Sequence, residues 1–234
     1  MEPVFVLVHS PSVGPATWRP VAERLSVAGY RARVPSLLAV GVGEPPYWPR
    51  AVDAVRADLA LAGVPPEQPL VLVAHSNAGL LLPLIRVGLA QPVTASVFVD
   101  AALPARTGST PVAPPELLRV LRGLSVDGML PRWTDWWDEE DVAPLFPDAT
   151  TRQDITAEQQ LLPLAYYERR VPVPDGWDDH PCAYLLFDPV YQDTADEARR
   201  RGWRIAELPG KHLHQVVDPG GTARLLVELA AGPE

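Results

Sequence analysis

An apolar run that turns through a single serine into a second apolar run constrains the fold of this chain most strongly. The residues from Val71 to Leu81 read VLVAHSNAGLL, with Ser76 at the centre. A sharp turn from strand to helix needs small residues beside its apex, because larger side chains would collide where the backbone doubles back. Ala74, Ala78 and Gly79 meet this requirement. The stretch therefore predicts a buried strand, a tight turn with Ser76 exposed at its apex, and a helix.

Length and composition favour one globular domain. The chain has 234 residues, of which 47% are hydrophobic and 21% charged. These values are ordinary for a folded domain and argue against disorder. The formal net charge of -9 would repel a phosphate backbone, so we expect no nucleic-acid partner. No apolar run approaches the ~20 residues that a membrane span requires, so we expect no membrane partner.

The single cysteine limits the compartment and the possible metal chemistry. Cys182 can form no intrachain disulfide and supports no cysteine-based metal site. The first residues pass directly from Met1 into a β-branched run, without the basic start and long apolar region of a signal peptide. We therefore expect a soluble protein in the cytoplasm.

Alternating strand and helix patterns predict an α/β fold with a doubly wound, mostly parallel sheet. Continuous β-branched and aromatic runs are typical of strands buried on both faces, and amphipathic helical patterns separate them. Within the helix after Ser76, Pro83 lies too deep for a first-turn proline, so we expect a kink there. Thr194 and Glu197 have the spacing of a capping box that opens a helix over 198–202. The predicted strands cover residues 4–8, 30–34, 70–74, 94–99, 182–187 and 203–208.

The alternation stops between about residues 107 and 179. Prolines are frequent there, and the helical patterns are short. We interpret residues 107–179 as a helical cap inserted over the sheet. The chain would then be a single domain, 1–234, with its core formed by residues 1–106 and 180–234.

The turn at Ser76 resembles the nucleophile elbow of the α/β-hydrolase family, in a variant of the G-x-S-x-G motif. The resemblance implies a serine nucleophile, an acid and a histidine, in that order along the chain. Ser76 would be the nucleophile. His212, in the sequence Gly210-Lys211-His212 after the last predicted strand, would be the base, and His214 is the reserve candidate.

Two carboxylates compete for the role of the acid that orients this histidine. Asp100 ends the fourth predicted strand, and Asp188 follows the fifth in an Asp-Pro-Val sequence similar to the loop that carries the acid in many members of the family. Both strand ends meet at the same edge of a parallel sheet. Asp100 ranks slightly ahead, because its strand end is better defined.

The expected oxyanion hole is incomplete. The resemblance implies one donor N–H from Asn77, after the nucleophile, and one from the loop after the first strand. That loop reads HSPSVG from His9, and Trp18 is spaced as in hydroxynitrile-lyase-like and plant methylesterase-like members. Without a gap, the second donor falls on Pro11, which has no N–H. Either Ser10 or Ser12 substitutes, or the loop is shifted, or the reaction forms no tetrahedral oxyanion.

Aromatic residues of the predicted cap are candidates for substrate binding. They combine large apolar faces with polar groups, which suits a pocket for an amphipathic or polycyclic molecule. The alternative is that they form the core of the cap itself. We expect no cofactor, because the glycine pair at 41 and 43 is too short for a nucleotide loop. We also expect no metal, because adjacent residues such as Asp179 and His180 do not by themselves make a metal site. The candidates are Trp133, Trp136, Trp137 and Tyr166.

These observations predict a serine-nucleophile hydrolase that acts on an ester, thioester or lactone of a hydrophobic or aromatic small molecule. The alternative is a non-hydrolytic enzyme of natural-product biosynthesis, acting by elimination, cyclisation or C–C cleavage on the same fold. A third hypothesis is a ligand-binding protein without catalysis. The partner is expected to be a small-molecule substrate, and the oligomeric state is not predicted.

Overall fold

The computed structural model describes residues 1–231 and contains a six-stranded parallel sheet in the order β2-β1-β3-β4-β7-β8. Every neighbouring pair of strands in this sheet is parallel, and helices cover both faces. The predicted doubly wound α/β fold is therefore confirmed. The strands are β1 (Val4–Val8), β2 (Ala32–Arg33), β3 (Leu70–His75), β4 (Val93–Val99), β5 (Gly108–Pro111), β6 (Arg170–Val173), β7 (Cys182–Leu186) and β8 (Arg204–Glu207).

The helices begin and end close to proline, glycine and capping signals. α1 starts with Pro20 in its first turn, and the Asp218 carboxylate caps the last helix by accepting from the N–H of Gly221. The α-helices are α1 (Arg19–Val27), α2 (Trp48–Leu61), α3 (Leu82–Gly88), α4 (Pro115–Leu124), α5 (Glu139–Val142), α6 (Ala149–Glu158), α7 (Leu164–Tyr167), α8 (Gln192–Arg200), α9 (His214–Val217) and α10 (Pro219–Ala230). No helix within residues 1–231 is long and apolar enough to cross a membrane.

The sheet is buried on both faces because alternate residues of its strands enter two separate cores. In β1, Phe5 and Leu7 pack with α1 and α10, whereas Val4, Val6 and Val8 pack into the core on the opposite face. Side chains alternate between the two faces of a strand, so a continuous apolar run is needed to bury both. This explains why the strand sequences show no polar alternation.

Residues 107–179, for which a helical cap is predicted, contain α4 to α7 and also the antiparallel pair β5–β6. The prediction of a purely helical segment did not include these two strands. All six strands of the main sheet lie outside the segment. Its Val142, Leu145 and Phe146 share a small core with Leu213 and Val216, near the C-terminal end of the chain. The division into core and inserted cap stays a prediction.

Three local predictions were wrong. The helix after Ser76 has no kink within it, because a 3-10 helix (Ser76–Leu81) comes first and Pro83 lies in the first turn of the separate α3. Thr194 does not cap a helix, because α8 already begins at Gln192. The second strand has two residues instead of five.

The topology creates a crevice at the carboxyl ends of β1 and β3. From β1 the chain continues to β2 on one side of the sheet, and then crosses to β3 on the other. Ligands of open α/β sheets bind at such a switch point. The pairing of Val8 with Ala74, and of His75 with Val99, brings the loops after β1, β3 and β4 to one place. These loops begin at His9, Ser76 and Asp100.

Candidate active site

Ser76 occupies a strained turn at the end of β3. Its φ angle is 58°, in the left-handed region that a residue other than glycine adopts at a cost of about 1–3 kcal/mol. Close packing holds the turn, because the Ser76 carbonyl accepts from the N–H of Ala102, and a Cβ at Gly79 would collide with the Ala102 carbonyl oxygen. The small residues after the serine therefore allow the helix to approach the neighbouring loop.

A hydrogen-bonded chain joins Ser76, His212 and Asp100. The distance from Ser76 Oγ to His212 Nε2 is 3.0 Å, and that from His212 Nδ1 to Asp100 Oδ2 is 2.9 Å. In this geometry the serine hydroxyl can donate to the imidazole, and the Nδ1–H of the imidazole donates to the carboxylate. The arrangement is that of a nucleophile, a base and an orienting acid.

The structure separates the two candidate acids. Asp100 is fully buried, and its second oxygen, Oδ1, accepts from the N–H groups of Phe187 (2.8 Å) and Asp188 (3.1 Å). These two hydrogen bonds fix the orientation of the Asp100 carboxylate, so that Oδ2 faces His212. The Asp188 side chain instead accepts from the N–H of Val190 in its own loop (3.0 Å). The backbone of Asp188, and not its carboxylate, contributes to the site.

The imidazole of His212 is held by aromatic neighbours. The Tyr191 ring stacks on it with centroids 4.9 Å apart and an interplanar angle of 2°. His75 Nε2 donates to the His212 carbonyl at 2.7 Å, and the two rings lie 4.5 Å apart. Burial, with the nearby charge of a protonated His212, lowers the pKa of His75 well below its usual range. His75 therefore stays neutral and supports the loop that carries His212.

His214, the reserve candidate for the base, has a packing role. A Cβ at Gly210 would collide with the His214 imidazole, and that ring contacts the Phe187 ring at a centroid distance of 5.6 Å. Gly210 therefore leaves the space in which His214 lies. In this position His214 is at the start of α9, and His212 faces Ser76.

The residues predicted for the oxyanion hole line two sides of Ser76. The side chain of Asn77 is fixed by donation to the Val112 carbonyl (3.0 Å) and acceptance from the Tyr166 hydroxyl (2.7 Å). Its backbone N–H lies in the first turn of the 3-10 helix, where N–H groups have no acceptor within the helix. In the loop after β1, Pro11 offers no N–H, but Ser10 and Ser12 line a cavity shared with Ser76.

A carboxylate from residues 107–179 holds this same loop. Glu158, the last residue of α6, accepts from the N–H of Ala16 at 2.7 Å and forms an ion pair with Arg19. A Cβ at Gly14 would collide with the Glu158 side chain, so the loop needs glycine at that position. The loop after β1 is thus fixed from outside the sheet.

The four aromatic candidates for substrate binding differ in position. Trp133 lines the cavity beside Ser76 and lies 6.2 Å from the His212 ring. Trp136 is buried, and its Nε1 donates to the Pro131 carbonyl. Tyr166 is also buried and supports Asn77. Trp137 is 42% exposed and is not among the cavity-lining residues. Of the four, the geometry connects only Trp133 with the cavity at Ser76, and the buried pair fits the alternative of a structural core.

Sequence reasoning gave no role in the site to Tyr191 or His75, and it considered Tyr167 only as one of the aromatic residues of the predicted cap. Tyr191 follows the Asp-Pro-Val sequence, which drew attention to its carboxylate instead. His75 directly precedes Ser76 and follows the predicted strand over residues 70–74. Tyr167, 155 residues beyond Ser12 in the sequence, contacts that serine through a hydroxyl pair at 3.1 Å. Only the position of His75 offered a local signal.

The described residues show no cluster suited to a metal. Within residues 1–231, no group of three or more His, Cys, Asp or Glu side chains is arranged to hold an ion. The polar groups at Ser76 are instead hydroxyls, one imidazole pair and backbone N–H groups.

The sequence matches the alpha/beta hydrolase family over residues 5–225. The chain belongs to this family. Esterase PIR7B of Oryza sativa subsp. japonica is 35% identical over 109 residues, and polyneuridine aldehyde esterase of Rauvolfia serpentina is 29% identical over 108 residues. Each alignment covers 43% of this hydrolase but only 39% of the relative, so the chain spans about two fifths of the length of these curated relatives.

A solved structure extends the similarity to the whole fold. An extracellular alpha/beta-hydrolase from a Paenibacillus species superposes on this hydrolase with a TM-score of 0.76, covering 97% of this chain and 98% of that one. The identity is 16%, so this likeness concerns the fold alone. The family resemblance predicted from the turn at Ser76 is confirmed.

Proposed function

We propose that this hydrolase is an esterase-type enzyme in which Ser76 is the nucleophile, His212 the general base and Asp100 the orienting acid. The observation that carries the proposal is the chain of two hydrogen bonds, 3.0 Å and 2.9 Å long, from Ser76 through His212 to the buried Asp100. The names of the curated relatives, both esterases, support the same class of reaction.

The proposed reaction proceeds through an acyl-enzyme. Ser76 Oγ attacks the ester carbonyl while its proton passes to His212 Nε2, and the protonated imidazole then gives that proton to the leaving alcohol. A water molecule then attacks the acyl-enzyme in the same way. Its proton passes to His212 and on to Ser76 Oγ, and the carboxylic acid is released. The negative charge of the Asp100 carboxylate would stabilise the imidazolium. Two backbone N–H groups hold this carboxylate in place through its other oxygen. The Asn77 N–H would donate to the developing oxyanion.

The cavity indicates which part of a substrate enters. It measures about 10 Å³, and Val13, Trp133 and Leu213 form its apolar walls. This space suits a carbonyl group, so the remainder of the substrate would extend along Trp133. We propose an ester, thioester or lactone of a hydrophobic or aromatic small molecule.

Three variants test the proposed roles. Chromogenic esters of graded acyl length identify a working substrate, and Ser76→Ala and His212→Ala should then reduce kcat by at least about 1,000-fold. His214→Ala is the matched control and should keep at least half of the activity. A fluorophosphonate should label the wild type but not Ser76→Ala. Equal labelling of both proteins, or full activity of Ser76→Ala, would refute the proposal.

The missing N–H at Pro11 favours a second candidate function. An enzyme that catalyses elimination, cyclisation or C–C cleavage needs no tetrahedral oxyanion, and Ser76 and His212 would then act as acid and base. No acyl-enzyme would form with its substrate. Rapid-quench mass spectrometry separates the two candidates, since a mass increase on Ser76 equal to the acyl group excludes the second.

We also propose a cytoplasmic location and a small-molecule substrate as the partner. A reducing compartment such as the cytoplasm fits the single cysteine, Cys182, which is buried. A small-molecule substrate and no nucleic-acid partner fit the net charge of -9. Fractionation of cells that express the protein, and filter binding with duplex DNA, would test these two points.

A further inference from the structure

The loop after β1 lacks the backbone donor that would complete an oxyanion hole, but it carries two hydroxyls. Pro11 has no N–H, and the residues on either side of it are serines. Ser10 is 3% exposed and Ser12 is 6% exposed, and both line the cavity of about 10 Å³ that also contains Ser76 and His212. Ser10, Ser12 and Ser76 therefore line the same cavity.

These two hydroxyls belong to a buried chain of three. Ser10 Oγ lies 2.9 Å from Ser12 Oγ, which lies 3.1 Å from the hydroxyl oxygen of Tyr167. The N–H of Ser12 also points to Ser10 Oγ, at 3.5 Å. Burial raises the pKa of Tyr167, so its hydroxyl keeps its proton. The chain runs from residues 107–179 into the cavity at Ser76.

The number of protons on these three hydroxyls limits the directions in which their hydrogen bonds can run. Three hydroxyls carry three protons, and the two hydrogen bonds between them use two, so one O–H remains for another acceptor. Within residues 1–231, Ser12 is the hydrogen-bond partner shown for the Tyr167 hydroxyl. A buried O–H without an acceptor costs about 1–3 kcal/mol, so Tyr167 donates to Ser12. The remaining proton is then on a serine that lines the cavity.

The hydrogen bond between the two serines allows this proton to be left on Ser10 or on Ser12, and Ser10 is the end of the series. When Tyr167 donates to Ser12 and Ser12 donates to Ser10, Ser10 Oγ receives both the hydroxyl and the N–H of Ser12. Its own O–H is then free to point into the cavity. In this direction each of the three hydroxyl protons has an acceptor once an oxyanion is present.

We propose that the Ser10 hydroxyl is the second donor of the oxyanion hole, in place of the N–H that Pro11 lacks, and that Ser12 and Tyr167 are positioning residues that orient it. The proposal rests on the proposed function, because it needs a tetrahedral oxyanion at Ser76. The Ser10 side chain would then contact the oxyanion directly. Tyr167 would affect the rate of reaction without touching the substrate.

The test compares kcat and KM for single and double variants on the ester selected above. Ser10→Ala should lower kcat by about 100- to 1,000-fold with KM nearly unchanged, the effect of losing one oxyanion donor. Tyr167→Phe and Ser12→Ala should each lower kcat by about 2- to 10-fold, as expected for one lost hydrogen bond. Ser10→Ala combined with Tyr167→Phe should be no slower than Ser10→Ala alone, because the tyrosine acts only through Ser10.

Two further measurements separate this role from a structural one. Ser96→Ala is the matched control, since Ser96 is a buried serine bonded to His180 outside the cavity, and it should leave kcat unchanged. A trifluoromethyl ketone, which forms a tetrahedral adduct with the serine, should bind Ser10→Ala about 100-fold or more weakly than wild type. A loss of packing alone would not weaken this adduct while KM stays constant.

Each other result counts against a definite part of the proposal. If Ser76→Ala is inactive but Ser10→Ala keeps kcat within threefold of wild type, the hydroxyl donor is refuted and the proposed function stands. If Ser12→Ala is slower than Ser10→Ala, the donor is Ser12 and the assignment to Ser10 is wrong. If the wild type hydrolyses no ester, or Ser76→Ala remains active, the proposed function fails and the hole fails with it.

Discussion

Replacing Asp100 by asparagine changes one atom of the site and should remove nearly all activity. In Asp100→Asn the amide oxygen must stay at Oδ1, because the N–H groups of Phe187 and Asp188 need an acceptor there. The amide nitrogen then faces His212 Nδ1, which lies 2.9 Å from Oδ2. Two donors cannot face each other, so the imidazole shifts its proton to Nε2 and can no longer accept from Ser76.

The magnitude follows from this change of tautomer. We expect kcat/KM of Asp100→Asn to fall by about 10,000-fold, or about 5 kcal/mol of transition-state stabilisation. Stability should change by only about 1 kcal/mol, because the shape and both backbone hydrogen bonds are kept. Asp100→Ala should lose activity and also be destabilised by about 2–5 kcal/mol, since it leaves two buried N–H groups without an acceptor.

Steady-state kinetics with a chromogenic ester, urea denaturation and ¹⁵N NMR of the histidine rings measure these three effects. Asp188→Asn is the matched control, because the Asp188 carboxylate accepts from Val190 and not from the base. It should stay within about twofold of the wild-type kcat/KM. The reasoning is wrong if Asp100→Asn keeps more than about a thirtieth of the wild-type rate, or if Asp188→Asn is the slower variant.

Three further predictions concern packing, the base and acid stability. Gly79→Ala should destabilise the fold by about 1–3 kcal/mol, because its Cβ would collide with a backbone carbonyl. Gly123→Ala, where the Cβ would lie in open space on α4, should stabilise the fold by about 0.5–1 kcal/mol. Urea midpoints that rank the two variants the other way would contradict this. Tyr191→Ala should lower kcat by about 2- to 10-fold through loss of stacking on His212. Tyr191→Phe keeps the ring but loses the hydroxyl that hydrogen-bonds to Ser76, so its rate should lie between those of Tyr191→Ala and the wild type. Equal losses in the two variants would show that the hydroxyl, and not the stacking, matters. Burial lowers the pKa of His9 from 6.5 to about 4, so between these pH values the unfolded chain binds a proton that the folded protein does not. The free energy of unfolding should therefore fall by about 3 kcal/mol as pH decreases from 6.5 to 4. Urea denaturation at intervals across this range should show a smaller fall in His9→Asn, and an equal fall in both proteins would exclude His9 as a cause.

The sequence predicted the main sheet because burial on both faces leaves a direct pattern. A strand such as β3 must be apolar throughout, and the small residues after Ser76 are required by the turn itself. The strands β5 and β6 were missed for the same reason, since the sequence of Gly108–Pro111 is short and polar and shows no apolar alternation. Pairing with a distant partner makes this segment a strand.

For the site, sequence order was informative about Ser76 and His212 but could not decide between two acids. Asp100 and Asp188 follow neighbouring strands, and the choice depends on which of the two carboxylates is directed to His212 in the folded protein. The stacking of Tyr191 on His212 and the bond between Tyr167 and Ser12 depend on tertiary packing. Such contacts have no local pattern in the sequence.

The anchoring of both loops around Ser76 by residues 107–179 has a consequence for protein engineering. Glu158 fixes the loop after β1 beside Ala16, and Tyr166 fixes the side chain of Asn77. Exchange of this segment with that of another member of the family would therefore alter the backbone around Ser76 as well as the shape of the cavity. A chimaera that keeps these two anchoring side chains offers a way to change the cavity without losing the hydrogen-bonded arrangement of Ser76, His212 and Asp100.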